Sequence, residues 1–277
     1  MTRYAAMFDR CREAGEGAFG AFLMLGDPDL DRSALALEAL VAGGADMLEL
    51  GIPFSDPVAD GPVIQAAAER ALRAGVRVAD CFDLIAGLRA RHPDIPIGIL
   101  TYANIAVARG LDQFTGDLAI AGVDSLLVAD VPSLEAPRFS AAARTAGLDL
   151  VMIAAPNTPA SALARIAELS SGYTYCVARA GVTGADQQLA LDHGSLFEAL
   201  DRAGAPPPVL GFGIATPAHV HEALASGAAG VISGSAIVSR LAKGASPAEL
   251  EAFVYEMKNA TRGTVAHPIR MTGQALA

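Results

Sequence analysis

The sequence predicts an α/β chain folded as a single-domain (β/α)8 barrel, with an N-terminal helix and long βα loops 2 and 6. Three observations carry this expectation. Eight short, β-rich apolar runs alternate with Ala/Leu-rich stretches at helical spacing. Repeated strand–helix units imply right-handed crossovers and hence a parallel sheet. The length, 277 residues of which 52% are hydrophobic, suits eight such units closed into one barrel better than an open doubly wound sheet.

The apolar runs cover residues 18–25, 46–51, 97–102, 125–130, 148–153, 173–178, 209–212 and 230–233. Strands buried on both faces should be continuously apolar, as Ser125-Leu-Leu-Val-Ala is. Helical spacing falls between the runs, for example over 31–42, 62–74, 78–91, 133–146, 159–170, 217–226 and 235–243. Several of these open on Asp, Ser or Thr near a proline, as N-caps and first turns do. Small residues gather before strands (Ala42-Gly-Gly-Ala, Ala121-Gly-Val, Gly227-Ala-Ala-Gly), which suits helix C-caps. No internal linker interrupts the pattern. It defines one domain over 1–262 and dissolves afterwards, so 263–277 is expected to be a mobile tail.

Composition narrows the function classes. The net charge of −10 disfavours non-specific binding to nucleic acid or anionic lipid. An anionic substrate stays possible where backbone N–H groups bind it. Mean hydropathy is positive, +0.38, but no apolar run approaches the ~18 residues of a spanning helix. The first residues mix Arg, Asp and Glu without a signal-peptide core, so a cytoplasmic protein is expected. Cys11, Cys81 and Cys176 form neither a disulfide framework nor a metal-ligand spacing. His219 and His221, two apart on a predicted helix, share no face, so solvated surface and no metal site are expected.

The chemistry concentrates after the second strand. Glu49 lies inside an apolar run, where burial should raise its pKa towards the range useful for proton transfer. The Gly/Pro-punctuated loop 2 that follows bears Asp56 and Asp60. Asp60 is expected to stay wetter and ionised, so that acid and base roles divide between unlike carboxylates. Asp56, in a Ser-Asp-Pro turn, suits its own backbone hydrogen bonds, with partner contact a second use. Barrel mouths form at the strands' C-terminal ends. That rule gathers Tyr102, Asn104, Asp130 and Tyr175 at the same opening. Gly211-Phe-Gly213-Ile and Ser233-Gly234-Ser235 follow the last two strands, a common place for a phosphate. No third glycine or ribose-binding acid makes Gly211-x-Gly213 a dinucleotide fingerprint. Loop 6, 179–188, is long and glycine-containing, as lids are. Its Arg179 suits either phosphate binding or lid anchoring.

These motifs resemble those of the tryptophan synthase α subunit family. The resemblance rests on Glu49-Leu-Gly-Ile-Pro-Phe-Ser-Asp-Pro-Val-Ala-Asp-Gly-Pro, Leu25-Gly-Asp-Pro, Tyr102-Ala-Asn, Val128-Ala-Asp-Val-Pro, Ala180-Gly-Val-Thr-Gly, Gly211-Phe-Gly-Ile and Ile232-Ser-Gly-Ser-Ala, in order from about residue 19 to 262. It implies a TIM barrel that cleaves indole-3-glycerol phosphate to indole and glyceraldehyde 3-phosphate in tryptophan biosynthesis. Glu49 would be the general acid/base, Asp60 would stabilise the cationic ring, and Tyr175 would lie beside Glu49. Phe22, Leu100 and Ile232 would wall the indole pocket. Gly184, Gly213, Gly234 and Ser235 would cradle the phosphate, and Thr183 would bond Asp60 when loop 6 closes. The resemblance implies no cofactor in this chain. It implies an α2β2 complex in which a pyridoxal-phosphate-dependent β subunit receives the indole and condenses it with serine. Pro53, Asp56, Asn104 and Pro132 would face that partner.

Four places depart from the usual pattern: Met24, Thr101, Cys176-Val-Ala178 and the single proline in Ala154-Ala155-Pro156-Asn157. None removes a proposed catalytic group. A freestanding indole-releasing lyase would use the same residues. A regulatory binding subunit would not need both Glu49 and Asp60, and a phosphosugar isomerase would not need loop 2 or a ring-sized apolar pocket.

Overall fold

The computed structural model describes residues 1–177, 193–211 and 213–263. The first elements are α1 (Arg3–Glu13), β1 (Ala18–Met24), α2 (Leu30–Ala42), β2 (Met47–Gly51), α3 (Pro62–Arg73) and α4 (Val78–Arg91). Next come β3 (Ile97–Thr101), α5 (Ala103–Ala108), α6 (Leu111–Ala121), β4 (Ser125–Val128), α7 (Pro137–Thr145), β5 (Asp149–Leu150) and β6 (Ile153–Ala154). The last are α8 (Ala160–Leu169), β7 (Thr174–Cys176), α9 (Gly194–Arg202), β8 (Pro208–Leu210), α10 (Pro217–Ala225), β9 (Gly230–Ser233), α11 (Ser235–Ala242) and α12 (Pro247–Asn259).

All sheet pairings are parallel, in the order β5-β4-β3-β2-β1-β9-β8-β7-β6. The two ends of that order are halves of one expected strand. Only Val151 and Met152 separate β5 from β6. Their backbones still reach both neighbours, Val151 N–H donating to Leu126 O at 2.9 Å and Met152 O accepting from Tyr175 N–H at 3.0 Å. The sheet therefore closes as an eight-stranded barrel whose fifth strand changes partner midway, and β7, β8 and β9 are its sixth, seventh and eighth strands.

Two apolar layers follow from the strands' period of two. Residues such as Leu23, Leu48, Ile99 and Leu126 point outward and pack against the helices. Phe22, Met47, Leu127, Tyr173, Val209 and Ile232 fill the interior with α1 residues Tyr4, Met7 and Phe8, which plug the barrel's lower end. Capping follows the chemistry of the residues: Thr2, Asp29, Thr216 and Ser246 accept backbone N–H bonds at the starts of α1, α2, α10 and α12.

The carboxyl end of β1 is tied to α3. Asp27, fully buried, accepts two hydrogen bonds from the Arg70 guanidinium, at 2.7 and 2.8 Å. At the opposite end of the barrel, Lys258 of α12 pairs with Glu16 at 2.9 Å and Asp46 at 2.8 Å. Among the described residues no helix is long and apolar enough to cross a membrane. The expected tail lies outside the described residues except for Gly263.

Candidate active site

β2 puts Glu49 on the interior wall, in register with Phe22 of β1 and Gly98 of β3. Gly98 supplies the room for it. A side chain there would begin 2.9 Å from Glu49 Oε2, 2.8 Å from Ser125 Oγ and 3.0 Å from the Tyr4 hydroxyl. Glu49 is 1% exposed. Its Oε2 accepts a short hydrogen bond from the Tyr173 hydroxyl, while Oε1 has no hydrogen-bond partner among the described residues. Burial pushes the Glu49 carboxyl up to about 7, and the Tyr173 bond pulls the other way. Tyr173 is itself held against Tyr4, ring centroids 5.3 Å apart, and the Tyr4 hydroxyl shares a 2.8 Å hydrogen bond with Ser125.

Asp60 departs from the expected wet carboxylate. It is buried, because loop 2 folds back onto the end of β3. The Tyr102 hydroxyl donates to Asp60 Oδ2 at 2.9 Å and accepts from Ala59 N–H at 3.2 Å, with Phe54 stacked on the Tyr102 ring. The Gln65 amide donates to the Asp60 carbonyl at 2.7 Å. Burial raises the Asp60 carboxyl to about 6, partly offset by Tyr102. The two acids are thus less unlike than their sequence settings imply. Each accepts from a tyrosine hydroxyl, Glu49 from Tyr173 and Asp60 from Tyr102, and Glu49 has the higher pKa.

Tyr175 points into the same interior but does not bond Glu49. Its hydroxyl donates to the Gly211 carbonyl at 2.9 Å, across a space that Gly211 leaves clear. Burial, then the charges of Glu49 and Asp60, raise its phenol pKa. Tyr175 lies near enough to feel the Glu49 charge, as expected, but the hydrogen bond to Glu49 comes from Tyr173, a residue not singled out from the sequence. The sequence does carry a signal for it: residues 173 and 175 are two apart, so both side chains point inward. Phe22 and Ile232 are buried, Leu100 is half-buried, and all three pack in the interior cluster with Tyr175.

At the ends of β8 and β9, Gly213 is exposed and Gly234 and Ser235 are half-buried. Gly213 has φ 77°, in the left-handed region that favours glycine. Gly234 is the N-cap of α11 and Ser235 its first residue. The buried Ser233 hydroxyl donates to Ile214 O at 2.7 Å, joining the two loops. Thr183, Gly184, Arg179 and the expected lid lie outside the described residues.

Among the residues expected to face a partner, Asp56, Asn104 and Pro132 are exposed. Pro53 is buried in its own chain, because loop 2 leaves the barrel only beyond it; the exposed tip includes Ser55, Asp56 and Val58. Asp130, also exposed, accepts the Ala103 N–H at 2.8 Å and so ties the fourth strand's loop to α5. Beside it opens a cavity of about 380 Å³ lined by residues including Pro132, Ile153 and Ile166; none of Glu49, Asp60 and Tyr175 lines it. The three cysteines are buried and free. Among the described residues no group of three or more His, Cys, Asp or Glu could hold a metal ion. His221 is exposed as expected, whereas His219 is half-buried and bonded to loop backbone.

Two buried acids with raised pKa values, beside an apolar barrel interior, suit proton transfer. Comparison with known proteins points the same way. The family model described as tryptophan synthase alpha chain matches residues 8–265. A tryptophan synthase alpha chain from Shewanella amazonensis is 51% identical over 94% of this chain and 100% of its own length. One from Escherichia coli is 48% identical over 95% and 100%. Among solved structures, a Mycobacterium tuberculosis tryptophan synthase superposes with a TM-score of 0.86 at 34% identity, covering 94% of this chain and 98% of that one.

Proposed function

The chain belongs to the tryptophan synthase alpha chain family and cleaves indole-3-glycerol phosphate to indole and D-glyceraldehyde 3-phosphate in tryptophan biosynthesis; we propose that Glu49 and Asp60 carry the proton transfers and charge of that reaction. The observation supporting this most directly is Glu49 itself. It is a buried carboxyl with one oxygen unpartnered among the described residues and a pKa of about 7. Such a group can both give and accept a proton near neutrality.

In the retro-aldol cleavage a proton adds to indole C3, which makes the ring an indoleninium cation. The hydroxyl on the adjacent glycerol carbon then loses its proton. As the carbon–carbon bond breaks, its electron pair returns to the ring, and the glycerol carbon becomes the aldehyde. One proton is taken up and one released, so a single carboxyl can serve both steps. Glu49 takes that role. Asp60, ionised above about pH 6 and oriented by Tyr102, offsets the developing positive charge at the ring N–H. Phe22, Leu100, Ile232 and Tyr175 hold the ring, and Gly213, Gly234 and Ser235 bind the phosphate with Gly184. Thr183 would engage Asp60 from loop 6. Proton transfer and charge stabilisation by side chains suffice for this chemistry, so the chain needs no cofactor of its own.

In this reading the protein works in the cytoplasm as the α part of an α2β2 complex. The indole passes to a β subunit, where pyridoxal phosphate supports condensation with serine. The exposed tip of loop 2 with Asp56, together with Asn104, Pro132 and the exposed Leu134, forms the contact. The decisive experiment is Glu49→Gln. Indole release should fall by roughly 10²–10⁴-fold, while glycerol 3-phosphate still binds with nearly unchanged affinity. Substantial residual turnover would defeat the assignment. Co-elution of the purified chain with a β subunit, lost on reversing the charge at Asp56, checks the partner surface.

A further inference from the structure

The phosphate reading leaves one side chain at the site unaccounted for. His219 sits in the first turn of α10, and its backbone N–H donates to the N-cap Thr216 hydroxyl at 3.3 Å. Its imidazole turns back over the loop that precedes the helix. Nδ1 lies 2.9 Å from the Gly213 carbonyl oxygen and 3.3 Å from the Ala215 amide nitrogen. One ring nitrogen cannot serve both. Bonding to the carbonyl requires a proton on Nδ1, whereas accepting the amide requires a lone pair there. The shorter contact favours the protonated Nδ1, donating to Gly213 O.

That bond acts on the peptide between Gly213 and Ile214. A trans peptide is planar, with its C=O and N–H pointing in opposite directions. Holding the Gly213 carbonyl towards α10 therefore turns the Ile214 N–H away from α10. No described residue accepts that N–H. The next carbonyl, Ile214 O, is fixed from the β9 side by the buried Ser233 hydroxyl at 2.7 Å. Two successive carbonyls of the loop are thus held by side chains, just after the left-handed φ of 77° at Gly213.

The geometry points to His219 as a positioning residue for phosphate binding, which fixes the Gly213–Ile214 peptide so that its loop presents backbone N–H groups to the substrate's phosphate. This rests on the phosphate cradle proposed above. Because the phosphate is remote from the breaking bond, His219 acts on binding and leaves the chemical step alone.

The test uses the full-length protein and three variants, with glycerol 3-phosphate binding by calorimetry and indole release by steady-state kinetics. His219→Ala should weaken glycerol 3-phosphate binding and raise KM for indole-3-glycerol phosphate, each about five- to tenfold, with kcat within twofold. His219→Asn, whose amide can place a donor where Nδ1 stands, should restore both to within twofold of the parent. An unchanged KM and affinity in His219→Ala would overturn the inference, as would an Asn variant as weak as the Ala variant. A fall in kcat matching the rise in KM would also overturn it. Gly234→Asp separates this from failure of the cradle itself. The space beside Gly234 admits a side chain at ordinary contact distance from Phe22, 3.5 Å, and the added carboxylate should repel a phosphate. If Gly234→Asp leaves glycerol 3-phosphate affinity intact, the cradle reading fails. If Gly234→Asp weakens binding and His219→Ala does not, only the role of His219 fails.

Discussion

Asp27 and Glu49 are both carboxylates withdrawn from water, 0% and 1% exposed, yet their surroundings differ in kind. Asp27 meets a guanidinium that fills both of its oxygens. Among the described residues Glu49 meets only a phenol, and on one oxygen alone. Burial raises both acids, but at Asp27 the Arg70 guanidinium opposes the rise, whereas at Glu49 the neutral Tyr173 hydroxyl does. A buried acid paired with a cation holds two elements together. One denied a cation is left where a small change in its surroundings moves its proton.

Breaking the structural pair should give the largest effect. Arg70→Leu strands an uncompensated charge beneath the end of β1 and should cost about 3–4 kcal/mol of stability, measured by urea unfolding. The low end of the usual range applies because the Arg70 side chain is 32% exposed. A loss below about 1 kcal/mol would make the pair ornamental.

The second prediction concerns pH. Glu49 titrates near 7 in the folded chain against an ordinary value of 4.5. Between those values the folded state keeps a proton that the unfolded state has lost. The stability that the neutral carboxyl contributes is complete below about 4.5 and lost as pH rises through about 7. Glu49→Gln should therefore match the parent near the acid end and exceed it by roughly 2–3 kcal/mol at pH 8. Denaturant unfolding at both pH values checks this, and parallel behaviour would show that Glu49 is not buried as a strained acid.

Tyr173→Phe sharpens the contrast by removing the one group among the described residues that favours the ionised form of Glu49. The midpoint assigned to Glu49 in the pH profile of indole release should move upward, by an amount reflecting roughly 1 kcal/mol of lost hydrogen bond. A downward move would reverse the assigned direction of that bond. The smallest effect is expected outside the barrel interior. Thr101, with the outward parity of Ile97 and Ile99, is fully buried and its hydroxyl has no partner among the described residues. Thr101→Val should stabilise the chain by about 1 kcal/mol without altering turnover.

Much of this was legible in the sequence, for identifiable reasons. The strands announced themselves because a parallel barrel buries both faces, and β9 falls on the expected residues. The fifth strand was expected whole, because nothing in the composition of 148–153 marks the change of partner at Val151 and Met152. Glu49 stood out as an acid in an apolar run. Its partner did not, since Tyr173 is 124 positions away and only closure of the barrel brings them together. The burial of Asp60 was hidden likewise. Gly/Pro-rich loops read as solvated, and the cover over Asp60 is Tyr102, from the turn between β3 and α5. His219 looked like surface because helical spacing says nothing of a ring folded back on its own N-terminal loop.

Closure also sets an order of events during synthesis. β1 pairs with β2 on one edge and with β9 on the other. A ribosome extends the chain from the N-terminus, so the second edge has no native partner until residue 233 has emerged. Through that interval the nascent sheet carries a bare row of amides and carbonyls, an open template for pairing with another chain.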